Sequence, residues 1–144
     1  MRSLVKIAAL AVMIASAAPA LAEIGRVKSN VGAASVNRSG RTVAVAPGVQ
    51  LEPGDILVTG RDGRLGVTFV DGTRFAVGPN SRVTLTEFQF DRTRQSGSFV
   101  TSVDRGSLGV VSGSIAKSRR DAMRVRTPTS MLGVRGTRFV VDVP

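Results

Sequence analysis

The sequence predicts an all-β protein, with short twisted strands in a solenoid-like or sandwich arrangement, preceded by a helical signal peptide. Three observations carry that expectation. Sixteen glycines and six prolines punctuate the 144 residues, so that no uninterrupted helical pattern beyond the leader reaches a typical helix length. Between these breaks, apolar and polar residues alternate in short runs. One local device also occurs twice: Asp71-Gly72-Thr73-Arg74-Phe75-Ala76-Val77 returns near the C-terminus as Arg135-Gly136-Thr137-Arg138-Phe139-Val140-Val141. A glycine turn followed by Thr-Arg-Phe and an apolar pair, used twice, points to a reused strand architecture rather than to a catalytic pocket.

Residues 1–22 read as a secretory signal peptide. Arg2 and Lys6 make its positive region, residues 4–18 are almost uninterruptedly apolar, and Ala20-Leu21-Ala22 is a small-x-small cleavage site before Glu23. A membrane anchor needs about 20 apolar residues, and this run is shorter and broken by Lys6. Residues 23–144 are then expected to form one β domain, periplasmic or secreted, with no transmembrane segment after cleavage.

Along that domain, residues 24–36 alternate weakly, Asn37-Arg38-Ser39-Gly40 turns the chain, and Val43 and Val45 precede Pro47-Gly48. In Leu51-Glu52-Pro53-Gly54-Asp55 the proline fixes one backbone angle and Gly54 frees the next, so Asp55 should open a strand with Ile56 and Val58 buried. Leu65, Val67 and Phe69 alternate into the tight turn at Asp71-Gly72, and Phe75 and Val77 resume the alternation, which is a hairpin. Val83 and Leu85 lead the next run, in which either Glu87 or Phe88 continues the face. Strands are also expected at 99–103, 108–111 and 123–125, with a basic loop over 117–121. Leu-Gly-Val recurs at Leu65, Leu108 and Leu132 without a fixed period, so a strict solenoid repeat does not follow. Glycine within such runs suggests a bend or a close backbone approach.

The chain carries twenty Lys and Arg against ten Asp and Glu, and only Arg2 and Lys6 of the basic residues lie in the leader. Most are arginines, which suit planar, bidentate contacts with carboxylates and phosphates. The local concentration is Lys117, Arg119, Arg120, Arg124 and Arg126, joined by Arg135, which replaces the turn aspartate of the first device. Such residues can bind an acidic protein surface or a polyanion, and on an edge strand they can instead prevent unwanted pairing.

Histidine, cysteine, tryptophan and tyrosine are absent, which removes imidazole and thiol chemistry and most general bases at neutral pH. Carboxylates remain, including Asp55, Asp62, Asp71, Glu87, Asp91 and Asp104, but each lies at a turn or strand end where aspartate ordinarily holds the backbone. No metal-binding or phosphate-loop spacing is present. The expectation is no catalytic residue, no cofactor and no metal. Nucleic acid is not an expected partner, because the phenylalanines fall in strands rather than on an exposed stacking surface.

The residues of the domain resemble the FecR domain, the periplasmic module of iron-dicitrate-type cell-surface signalling regulators. The resemblance covers roughly residues 27–141. It rests on Leu51-x-x-Gly54-Asp55-x-Leu57-x-Thr59-Gly60, Phe69-Val70-Asp71-Gly72-Thr73, Pro79-Asn80-Ser81, Val125-x-Thr127-Pro128 and Gly133-Val134-Arg135-Gly136-Thr137-x-Phe139. It implies an all-β module that acts through protein contacts and has no catalytic residues. Sigma-factor control across the membrane is not carried over, since no cytoplasmic segment is expected before the leader and no transporter-docking domain after Pro144. The expected function is a non-enzymatic binding or scaffold module of the envelope that regulates or signals through contacts with a protein partner; the alternative is a basic polyanion-binding protein attached to an anionic polymer such as envelope polysaccharide, or to lipid head groups. Gly54, Asp55, Asp71, Gly72, Gly133 and Gly136 are expected at structural turns.

Overall fold

The computed structural model describes residues 23–136 and 138–144. The expected signal peptide and Thr137 lie outside the described residues. In chain order the strands are β1 (Gly25–Val31), β2 (Ala34–Arg38), β3 (Arg41–Ala44), β4 (Gln50–Leu51), β5 (Ile56–Thr59), β6 (Arg64–Phe69), β7 (Arg74–Val77), β8 (Arg82–Asp91) and β9 (Ser96–Val111). A short helix, α1 (Ser114–Ser118), precedes β10 (Met123–Arg126), β11 (Met131–Val134) and β12 (Arg138–Val143).

The first eight strands divide between two antiparallel wings, β4-β1-β6-β7 and β3-β2-β5-β8, and β9 joins them. Its first half pairs antiparallel with β8, Phe99 opposite Phe88, and its second half pairs antiparallel with β7, Val110 opposite Phe75. On the other side of β9, β10 runs parallel to the first half and carries β11, while β12 runs antiparallel to the second half. The product is one mostly antiparallel sheet curled into a half-barrel.

The sequence expects two separate strands where the structure has β9, sixteen residues long. The join is a bend at Gly106, whose φ of 89° lies in the left-handed region and whose missing side chain leaves room for Ser81: a Cβ there would sit 2.1 Å from Ser81 Oγ. Ser81 is fully buried and spans the bend. Its Oγ accepts from the Ser107 amide at 2.9 Å, and its own amide donates to Thr59 Oγ1 at 2.9 Å, which in turn donates to the Gly78 carbonyl. The Pro79-Asn80-Ser81 segment is therefore the clamp on the corner where β9 changes wings.

Curling brings Phe69 and Phe75 of one wing against Phe88 of the other and Phe99 of β9, with ring centroids 4.7 to 5.7 Å apart in edge-to-face and stacked pairs. Each such ring contributes about 1.5–3 kcal/mol by burial, and each pair about 0.5–1.5 kcal/mol more. The ambiguity at Glu87 resolves through a bulge between Leu85 and Glu87 that shifts the alternation, so Val83, Leu85 and Phe88 all point inward. Phe90 is only partly buried.

The expectation for Ile56 and Val58 is corrected: Leu57 and Thr59 are buried and Ile56 and Val58 are half-buried on the outer face. The reason is Asp55, itself buried, which holds Arg38 by a two-toothed ion pair at 2.8 and 2.9 Å and also accepts from the Glu52 amide. With Asp55 turned inward, the period of two puts Leu57 and Thr59 inward as well. The hydrogen bonds that Arg38 donates to Asp55 raise the Arg38 pKa above its ordinary value. A second correction concerns Gly133, which lies inside β11 rather than in a turn. A Cβ there would meet Asp121 Oδ1 at 2.1 Å, so the glycine makes room for that carboxylate.

Candidate functional site

β7 and β12, the two copies of the repeated device, flank the same four residues of β9. Arg74 and Arg138 both stand opposite Val111, Phe75 and Phe139 opposite Val110, Ala76 and Val140 opposite Gly109, and Val77 and Val141 opposite Leu108. The echo in the sequence is thus a translation across one strand, with arginine outward and phenylalanine inward in each copy.

The first copy is closed. β6 pairs with the free side of β7, and the turn before it is tied down from within. Asp71, 4% exposed, accepts from the Thr73 amide and hydroxyl and from the Ile115 amide. Its carbonyl takes the Ser114 amide, and Thr73 Oγ1 takes the Gly113 amide. Three successive amides at the start of α1 are therefore satisfied by one hairpin turn. Gly113 is required there, since a Cβ would lie 2.4 Å from the Asp71 carbonyl oxygen and the Thr73 nitrogen.

The second copy is open. Among the described residues no strand pairs with the far edge of β12. Arg135, in the place of Asp71, is exposed, Phe139 is only partly buried, and Val140 is 67% exposed. Beside it, Met131 and Leu132 of β11 are also exposed. Leu132 shares the lining of a cavity of about 460 Å³ with Val141, Val143, Pro128 and Asp104, so the two unpaired edges border one opening of the half-barrel. A shallow trough of about 580 Å³ lies over Ala76, Gly109 and Val140, with Arg74 and Arg138 in its lining and no carboxylate.

The basic cluster is spread over two places. Lys117, Arg119 and Arg120 are exposed at and after the end of α1, where Gly136 comes close to Lys117: a Cβ would lie 3.2 Å from its Cγ. Arg135 is exposed beside that glycine. Arg124 and Arg126 instead share the outer face of β10, as the period of two requires. β10 is paired on both sides, by β9 and β11, so edge protection is not their role. The Nε of Arg124 is buried without a hydrogen-bond partner, which makes part of that side chain scaffold rather than contact surface.

Gly54, Gly72 and Gly136 each have φ in the left-handed region, at 89°, 88° and 60°, and sit in turns. Among the described residues no group of three or more acidic, histidine or cysteine side chains could hold a metal ion, and no helix is long and apolar enough to cross a membrane. At the start of the described chain, Arg26 donates a hydrogen bond to Glu23 and lowers its pKa below the ordinary carboxylate value. The open edge of β12 was not singled out from sequence. Its signal was the second copy of the device.

A model of the FecR protein family matches residues 55–143. The match starts at the buried Asp55 and runs through β12, leaving β1 to β4 outside. No curated protein and no solved structure shows a significant match to the chain.

Proposed function

The chain belongs to the FecR family, and from that premise we propose that it is an exported, non-enzymatic module of the cell envelope that works by binding a protein along the open edge of β12. Domains of this family belong to cell-surface signalling regulators, which act through protein contacts. The observation that carries the reading is the asymmetry between the two copies: the same strand is sealed between β6 and β9 in one and left with a free edge and an exposed valine in the other. A partner strand added to such an edge gains a ladder of backbone hydrogen bonds and takes specificity from alternate side chains. Leu132, Val141 and Val143 in the adjoining cavity offer apolar surface to its inner face.

The test is photo-crosslinking in intact cells from position 140, with position 126 on the outer face of β10 as control. A defined protein band from position 140 and none from position 126 is the expected result. Equal labelling from both positions, or none from 140, defeats the reading.

Attachment to an anionic polymer is the second reading, and one observation favours it: Lys117, Arg119 and Arg120 are all exposed at and after the end of α1, with exposed Arg135 next to the glycine that approaches Lys117. Salt separates the two. Polyanion binding falls steeply between low and moderate ionic strength, whereas strand addition with an apolar inner face loses much less.

A further inference from the structure

We propose that the open edge of β12 accepts a second copy of this chain, pairing antiparallel about a two-fold axis at Val140. The inference rests on the reading of that edge as the contact face and names its occupant. Three observations argue for a copy of the chain itself. First, the other strands at the rims of the sheet are short, two residues in β4 and four in β3 and β11, whereas β12 has six and carries no proline, bulge or inward charge. Shortness, proline and inward charge are the usual means of keeping edges apart, and β12 has none of them.

Second, its outward positions are self-complementary. Arg138, Val140 and Asp142 alternate on the outer face, with Val140 at the centre. When Val140 stands opposite Val140 of a second copy, Arg138 faces Asp142 of that copy, and the reverse pair forms on the other side of the axis. Moving the axis by one residue in either direction puts Arg138 opposite Val140 or Pro144, so only one centre pairs the charges. Asp142 already takes the Ser107 hydroxyl through Oδ1, which leaves Oδ2 for the incoming guanidinium. The five donors of an arginine serve more than one acceptor.

Third, the inward positions match under the same axis. Phe139 and Val141, partly buried and buried in the single chain, fall opposite one another across the junction. The joined sheet then runs through β12 of both copies with apolar pairs inside and ion pairs outside, the pattern of a symmetric, self-complementary interface.

The experiment uses the purified chain. Sedimentation velocity over a concentration series is expected to show a monomer–dimer equilibrium. Arg138→Asp places carboxylates opposite each other at both symmetric positions and should weaken the dimer about tenfold or more. The double exchange Arg138→Asp with Asp142→Arg restores the opposite charges and should recover most of that loss, with circular dichroism confirming that both variants fold. Because the natural chain has no cysteine, Val140→Cys should give a disulfide-linked dimer under mild oxidation, while Arg126→Cys should not. A chain that stays monomeric at its highest soluble concentration and forms no disulfide through position 140 overturns the proposal. In that event, a foreign protein crosslinked from position 140 in cells would leave the function proposed above standing. A dimer that the single charge reversal does not weaken, or that the double exchange does not rescue, overturns it as well.

Discussion

β7 and β12 are built from the same short phrase and lie in the same register against residues 108–111 of β9, yet one is interior scaffold and the other is a rim. The difference does not come from the strand. It comes from what precedes the strand and what stands beyond it. Before β7, Asp71 turns inward and fastens the start of α1; before β12, Arg135 faces solvent. Beyond β7 lies β6; beyond β12, among the described residues, no strand pairs. A repeated segment therefore identifies a structural device, and its surroundings decide whether the device serves stability or contact.

That comparison can be broken most forcefully at its shared phenylalanine. Phe75 is 2% exposed and packed against Phe69 and Phe99, whereas Phe139 is only partly buried and enters no ring pair. Phe75→Ala should cost about 3–5 kcal/mol and Phe139→Ala about half as much, read from urea unfolding midpoints. Equal losses would mean that the second copy is as much core as the first.

The turn residue sharpens the contrast next. Asp71→Ala leaves the Thr73 and Ile115 amides without their acceptor and should lose about 2–4 kcal/mol, while Arg135→Ala should stay within about 0.5 kcal/mol. A destabilising Arg135→Ala would reveal a structural duty for that arginine and remove it from the contact surface.

Losses smaller than those at Phe75 and Asp71 belong to what the copies have in common. Gly72 and Gly136 both have positive φ; Gly72 has no neighbour within 4 Å of a Cβ and Gly136 only the flexible stem of Lys117. Alanine at either should therefore cost about 1–2 kcal/mol from the backbone alone, and Gly136→Val somewhat more. An unchanged melting temperature for Gly136→Val would show that the second turn has no need of its glycine and that the two copies are less alike than their register suggests.

How far sequence alone reaches follows from the range of the interactions. The hairpin at Asp71-Gly72 is local, its alternation is regular, and it is readable. Ile56 and Val58 are misassigned because the deciding contact, Arg38 with Asp55, joins residues distant in sequence and turns a charged side chain inward against expectation. β9 reads as two strands because nothing local says that Gly106 bends a strand instead of ending it; the reason is Ser81, a strand away. The basic cluster is legible as composition, but its division between the end of α1 and the outer face of β10 depends on β10 being paired on both sides. The open edge of β12 is the least legible feature, since openness is a statement about missing neighbours.

The corner at Gly106 also sets an order of events in time. All eight strands of the two wings precede β9, and the chain shuttles between the wings as it lays them down, so a growing polypeptide accumulates two half-sheets with no strand in common. Neither can be completed until residues 96–111 arrive, and β12 docks only after that. Long-range pairing of this kind makes folding slow. It should also make unfolding cooperative, because extracting β9 strips both wings of their shared neighbour at once.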